Sequence, residues 1–262
     1  TEIYTLSLHD ALPILHLPHV GEATERKLWR LGLHDWDSGR ACVAEGKVKG
    51  ALADRLAEGL EISQDRLAAR DASYFASALL PRDHWRAWPE FGDQVAFVDI
   101  ETTGCDHWSA ITVIGIWDGV EVRQYVKGHN LEEAKDDLAR FPLLVTFNGA
   151  CFDLPFIYRE LGPLSTEPLH IDLRFALKRV GYGGGLKSVE HQLGLSRSDE
   201  TTGLDGMDAV RLWQEYRSGR QTSLDLLLAY NAEDIVNLEP LAQTAYELLR
   251  QAARHPADVS AP

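Results

Sequence analysis

Between Gln94 and Lys127 the chain holds three apolar, strand-like runs, Gln94 to Ile100, Ala110 to Trp117 and Glu121 to Lys127. Short turns at Gly104 to Ser109 and Asp118 to Gly119 join them. Connections this short leave no room for a crossover helix, so consecutive runs must pair as antiparallel neighbours. Further on, strand-like Leu143 to Phe147 and His170 to Asp172 alternate with helical patterns at Leu131 to Arg140 and Phe152 to Leu161. Strands that alternate with helices bring crossover connections. The expected fold is α/β, with a mixed sheet flanked by helices.

The first of these runs ends in FVDIETTG, Phe97 to Gly104. Val95 to Val98 form a continuous apolar stretch, the mark of a strand buried on both faces. Asp99 and Glu101 are two residues apart and so project from one face. Two acids at the end of a buried strand are costly unless neutralised, and hard divalent cations such as Mg²⁺ or Mn²⁺ neutralise them through oxygen ligands. The plainer alternative is a surface Asp and Glu capping a strand before a turn at Thr102, Thr103 and Gly104.

A second acid lies in VTFNGACFDLPFI, Val145 to Ile157, where a strand ends in a turn at Asn148 and Gly149 and a helix begins near Phe152 or Asp153. Ligands collect at that edge of an open α/β sheet. Asn148 is suited to hold the turn and Phe152 to pack beneath a base. Taken alone, Asp153 reads equally as a helix-capping acid. In LLLAYNAEDIVNLEPL, Leu226 to Leu241, a helix follows the expected caps Thr222 and Ser223, and Tyr230 and Asp234 share one of its faces.

Together Asp99 and Glu101, Asp153, and Tyr230 with Asp234 resemble the three motifs of the DEDD 3′–5′ exonucleases, in the tyrosine-bearing branch. The histidine-bearing branch has His five residues before its last Asp, where this chain has Ala229. Asn148, Gly149, Phe152 and Asp153 are also similar to the second motif of proofreading domains in family B DNA polymerases. From about His16 to Arg254 the chain resembles the YprB-type ribonuclease H-like group. Beyond the catalytic motifs, the residues carrying this are Leu17 to Gly21, HIDLRFAL (His170 to Leu177), GGGLKSVEHQLGL (Gly183 to Leu195), GLDGMDAVRLW (Gly203 to Trp213) and YNAEDIVNL (Tyr230 to Leu238).

The resemblance implies a ribonuclease H-like fold and two-metal hydrolysis of phosphodiester bonds, with paired Mg²⁺ or Mn²⁺ ions stabilising the attacking and leaving oxygens. Asp99, Glu101, Asp153 and Asp234 are the expected metal ligands. On that expectation Asp99 would bridge the ions, Glu101 and Asp234 would complete the one holding the nucleophilic water, and Asp153 would hold the other through water. Tyr230 orients that water or assists its deprotonation. Thr102, Asn148, Phe152 and Lys187 are the expected substrate contacts. The expected partner is single-stranded nucleic acid, with no membrane involved. A non-catalytic nucleic-acid-binding module and a metal phosphoesterase acting on nucleotides are the competing classes.

Net charge is −14, from 26 Lys+Arg against 40 Asp+Glu, which argues against a broad phosphate-binding surface but not against nucleic acid. Basic residues concentrate instead in Arg174, Lys178, Arg179, Lys187 and Arg197, and a solvated helix face competes with backbone binding for all but Lys187. His170 and Asp172 read as strand-end hydrogen bonders. Trp108, Trp117 and Trp213 read as packing residues.

From His16 to about Glu90 the pattern is helical. His16 to Trp36 looks like a helix-hairpin-helix element, with Gly21 present but His19 where such hairpins usually carry their first Gly. Trp85, Trp88, Pro89 and Phe91 read as an aromatic bridge. The expected organisation is Thr1 to Ile14 as foreign sequence resembling a translated sequencing adapter, a helical module over 15–90, a ribonuclease H-like domain over 91–255 and a disordered tail over 256–262. Cys42, Cys105 and Cys151 are odd in number and widely spaced, which favours reduced thiols. With no signal-peptide pattern, the expected compartment is the cytoplasm.

Overall fold

The computed structural model describes residues 14–254. The expected foreign segment, apart from Ile14, and the expected tail over 256–262 lie outside the described residues. The chain forms two compact units. One ends at Asp93 and also takes in Glu167–Leu169, and the other comprises Gln94–Thr166 and the residues from His170 onward.

The first unit is helical: α1 (Glu22–Arg30), α2 (Trp36–Ala44), α3 (Ala51–Ala68), α4 (Ala72–Ala78), a 3₁₀ segment at Pro81–Ala87 and α5 (Trp88–Phe91). Trp36, Leu56, Leu60, Phe75 and Phe91 fill its core, and Ile14 is buried with them. His16 Nε2 meets Ser63 Oγ at 2.6 Å inside this core. His19 adopts φ 63°, so this turn takes the left-handed conformation without glycine. Gly21 caps α1, whose first turn carries Glu22 and Glu25. Those acids oppose an anion at that helix end.

The second unit contains β1 (Val95–Thr102), β2 (Ile111–Trp117), β3 (Val122–Val126), α6 (Ala134–Leu138), β4 (Leu143–Thr146), α7 (Asp153–Leu161), β5 (Leu169–Asp172), α8 (Leu173–Lys178), α9 (Leu186–Gln192), α10 (Gly206–Arg217) and α11 (Gln221–Arg254). The sheet order is β3-β2-β1-β4-β5. β1 runs antiparallel to β2, β2 antiparallel to β3, and β1 parallel to β4. The meander and the crossover both form as the loop lengths require.

Alternation along the strands feeds two cores. Ala96, Val98, Ile100, Ile114 and Ile116 pack with Leu138, Phe156 and Ile157 on one side. Val113 and Val126 pack with Leu212, Trp213, Leu227 and Tyr230 on the other. Asp99 and Glu101 alternate with the first set and so lie on the second face, the one α10 and α11 cover.

Two local expectations need correction. Leu131 to Arg140 does not form one helix but a 3₁₀ turn at Leu131–Glu133 followed by the short α6. Thr222 and Ser223 do not cap α11, which already starts at Gln221. Ser223 instead donates to Glu215 Oε2 at 2.7 Å. The three cysteines are free thiols. Among the described residues no helix is long and apolar enough to cross a membrane.

Candidate metal centre

β1 delivers Asp99 and Glu101 to the α11-covered face, and α11 presents Asp234 from above. Ligand oxygens of Asp99, Glu101 and Asp234 all lie within 4.8 Å of one another. Asp153 sits beside this trio but is engaged differently. β4 pairs with β1 only as far as Phe97, so it does not extend alongside Ile100. Asp153, the first residue of α7, supplies the acceptor: its Oδ1 takes the Ile100 N–H at 3.1 Å. Asp153 is thus a first-turn acid of α7, whose N-cap is Phe152, and at the same time bonds back into β1.

Crowding shows in the acid–base behaviour of the cluster. Burial, then the charges of Asp234, Asp153 and Glu101, raises Asp99 well above the usual carboxylate range. Glu101 is raised by burial, Asp234 and Asp153, with Lys187 pulling the other way. Burial pushes Asp153 up to about 7 and Asp234 up to about 6, with Arg197 opposing the rise at Asp234. Glu101 Oε1 is buried and has no hydrogen-bond donor. Four acids with an orphaned buried carboxylate oxygen form an all-oxygen donor set that fits a hard divalent cation.

Tyr230 is buried at 6 % exposure. Lys187 Nζ lies 4.6 Å from its ring centroid and Arg197 Cζ 5.9 Å. Burial, followed by Asp234, Glu101 and Asp99, raises the phenol far above its ordinary value, so it stays protonated. Lys187 Nζ and Arg197 Nη1 are both buried donors without an acceptor. Lys187, expected as a phosphate contact, lies beside Tyr230.

Arg197 does not lie on a solvated helix face. It follows α9 at 8 % side-chain exposure, with two 2.7 Å hydrogen bonds to Glu190 and an ion pair to Asp234. Asn237 Nδ2 adds a 3.0 Å bond to Glu190 Oε1. Sequence reasoning missed Glu190 and Asn237 in this network.

The remaining candidates are held by local bonds. Thr102 Oγ1 donates to Gly104 O at 2.6 Å and closes the turn after β1. Asn148 has φ 72°, and Asp172 at the end of β5 accepts the N–H groups of Asn148 and Ala150 at 2.8 and 3.0 Å. Arg174 Nη1 donates to Asn148 Oδ1 at 2.7 Å. His170 Nε2 meets Thr146 Oγ1 at 2.9 Å, so His170 and Asp172 are strand-end hydrogen bonders. Phe152 packs against the core beneath α7, with its ring centroid 4.8 Å from that of Phe156. Trp213 is buried, but Trp108 is 82 % exposed beside His107 and is not a packing residue.

A family model described as the RNase_H superfamily matches residues 96–246, more than half of the chain. The chain belongs to the ribonuclease H superfamily. The match runs from β1 into α11 and so contains every acid of the cluster. Members of this superfamily are commonly nucleases, and membership supports a nuclease-type function and contact with nucleic acid. Among solved structures, the chain is similar to the family B DNA polymerase of the hyperthermophilic archaeon Pyrobaculum calidifontis, with 16% identity and a TM-score of 0.49 over 61% of this chain and 25% of that one. The chain thus spans about a quarter of that polymerase's length. A search of curated proteins found no match.

Proposed function

We propose that the chain is a metal-dependent 3′–5′ exonuclease of the tyrosine-bearing DEDD type, in the YprB-type group, acting on single-stranded nucleic acid. The observation that carries this is the convergence of Asp99, Glu101 and Asp234 within 4.8 Å, with Asp153 bonded into the same strand. Mg²⁺ or Mn²⁺, when held by Asp99, Glu101, Asp153 and Asp234, would supply neutralising charge and lower the pKa of a bound water toward neutrality.

The chain's own groups do the rest. Asp99 and Glu101, fixed on a strand buried on both faces, hold their carboxylates in place before substrate arrives, which limits reorganisation during reaction. Tyr230 stays protonated, which suits a donor that orients the attacking water rather than a base that deprotonates it. Arg197 balances Asp234. Of the proposed substrate contacts Thr102, Asn148, Phe152 and Lys187, Lys187 has the most support, because its buried ammonium has no hydrogen-bond acceptor. A phosphate oxygen fits that donor.

The test compares wild type and Asp99→Ala on matched single-stranded DNA and RNA with Mg²⁺ or Mn²⁺. Metal-dependent cleavage by wild type alone, with both proteins equally folded, is the expected result. Unchanged cleavage by the variant rejects the site. Binding without cleavage favours a non-catalytic module, and cleavage confined to mononucleotide esters favours a phosphoesterase.

A further inference from the structure

The strand registers align Asp99 on β1 with Gly115 on β2, and Gly115 with Gln124 on β3. These three residues make a row across the sheet on the face that α11 covers. Asn231, fully buried on α11, lies over that row. Its Nδ2 donates to Asp99 Oδ2 at 3.1 Å and to Asp99 O at 3.3 Å. Its Oδ1 accepts from Gln124 Nε2 at 3.0 Å, and the same nitrogen donates to Leu228 O at 2.8 Å.

Backbone carbonyls only accept, so the two ends of this chain of bonds fix everything between them. Leu228 O requires the Gln124 nitrogen as donor, and that nitrogen then requires the oxygen of Asn231. Asp99 O requires the Asn231 nitrogen. Neither amide can flip without placing like groups against each other. Gly115 completes the arrangement, since a Cβ there would collide with Asn231 Oδ1. A glycine inside a strand costs backbone order, and close approach of another element is the usual compensation.

We infer that Asn231, oriented by Gln124 and admitted by Gly115, is a positioning residue that holds Asp99 Oδ2 and turns Oδ1 toward the metal. The inference rests on the proposed metal centre and adds to it the device that orders its central ligand. Losing a hydrogen-bond partner of a metal ligand typically weakens metal binding about 10- to 100-fold.

The experiment is an EPR-detected Mn²⁺ titration of the full chain as wild type, Asn231→Leu and Gln124→Met, with metal-free melting curves for each. Leucine keeps the branched heavy-atom skeleton of asparagine and cannot donate. Mn²⁺ binding by Asn231→Leu about 10- to 100-fold weaker than wild type is expected. Gln124→Met, which leaves Asn231 in place, should weaken binding less and in the same direction. It carries the test if Asn231→Leu does not fold. Lowered melting temperatures with wild-type Mn²⁺ affinity in the folded variants would mean a merely structural amide and overturn the inference alone. No Mn²⁺ binding by wild type would overturn it together with the metal centre.

Discussion

Arg197 Nη2 stands 2.5 Å from Asp234 Oδ1, and both side chains are 8 % exposed. The same guanidinium grips Glu190 through two further bonds. One arginine thus balances two buried acids, one of them a proposed metal ligand. Removing it leaves both carboxylates buried without this counter-charge.

Arg197→Met is accordingly expected to lower the unfolding free energy by about 3–5 kcal/mol, the usual effect of deleting one partner of a buried ion pair. Arg197→Lys should fall between the two proteins, because an ammonium keeps the charge but not the two-pronged geometry. Urea denaturation measures both. A Met variant as stable as wild type would show that the network carries little.

The acids at the centre oppose the fold while no cation is bound. Asp99→Asn removes one of the crowded charges and can still accept the Asn231 amide through its own oxygen. Its metal-free melting temperature at about pH 8 is expected to lie several degrees above wild type, while metal-dependent cleavage disappears. A melting temperature below wild type would show that repulsion in the cluster is not a burden on the fold.

Asp153 at about 7 and Asp234 at about 6 lie above the ordinary value near ~3.9 of an unfolded chain. The folded state therefore keeps protons that the unfolded chain has already released. Stability from this source falls as pH rises between about 4 and about 7, and below that window it is fully retained. Metal-free wild type should melt higher near pH ~5 than near pH ~8, Asp153→Asn should flatten the slope, and saturating Mg²⁺ should restore stability at the higher pH. A steeper slope in Asp153→Asn would contradict the assignment.

Tyr230→Phe keeps the ring against Lys187 and Arg197 and removes only the hydroxyl. Mn²⁺ affinity should match wild type while the cleavage rate drops about 10²-fold or more, as expected for losing a group that handles the attacking water. Equal rates would remove Tyr230 from the chemistry.

The sheet was legible because short apolar runs joined by short turns leave few pairings open. Every expected strand lies within a residue or two of the observed one, from β1 at Val95–Thr102 to β5 at Leu169–Asp172. The acids were legible as motifs, and Lys187 as the cation after a run of glycines. Arg197 was not, because nothing in its local sequence says that Glu190 and Asp234 will close on it from separate helices. Asn231 had two signals that only a register makes visible: it adjoins Tyr230, and Gly115 interrupts an otherwise bulky strand. Trp108 misled in the opposite sense, since a large aromatic usually packs and this one lies in an exposed turn.

The most direct test of the central claim is the time course of a 5′-labelled single strand digested with Mg²⁺ or Mn²⁺ and in parallel with EDTA. The account predicts a ladder that shortens progressively from the 3′ end with metal and an intact strand with EDTA. A strand left whole with metal, a ladder that persists in EDTA, or release of the label in the first products would contradict it.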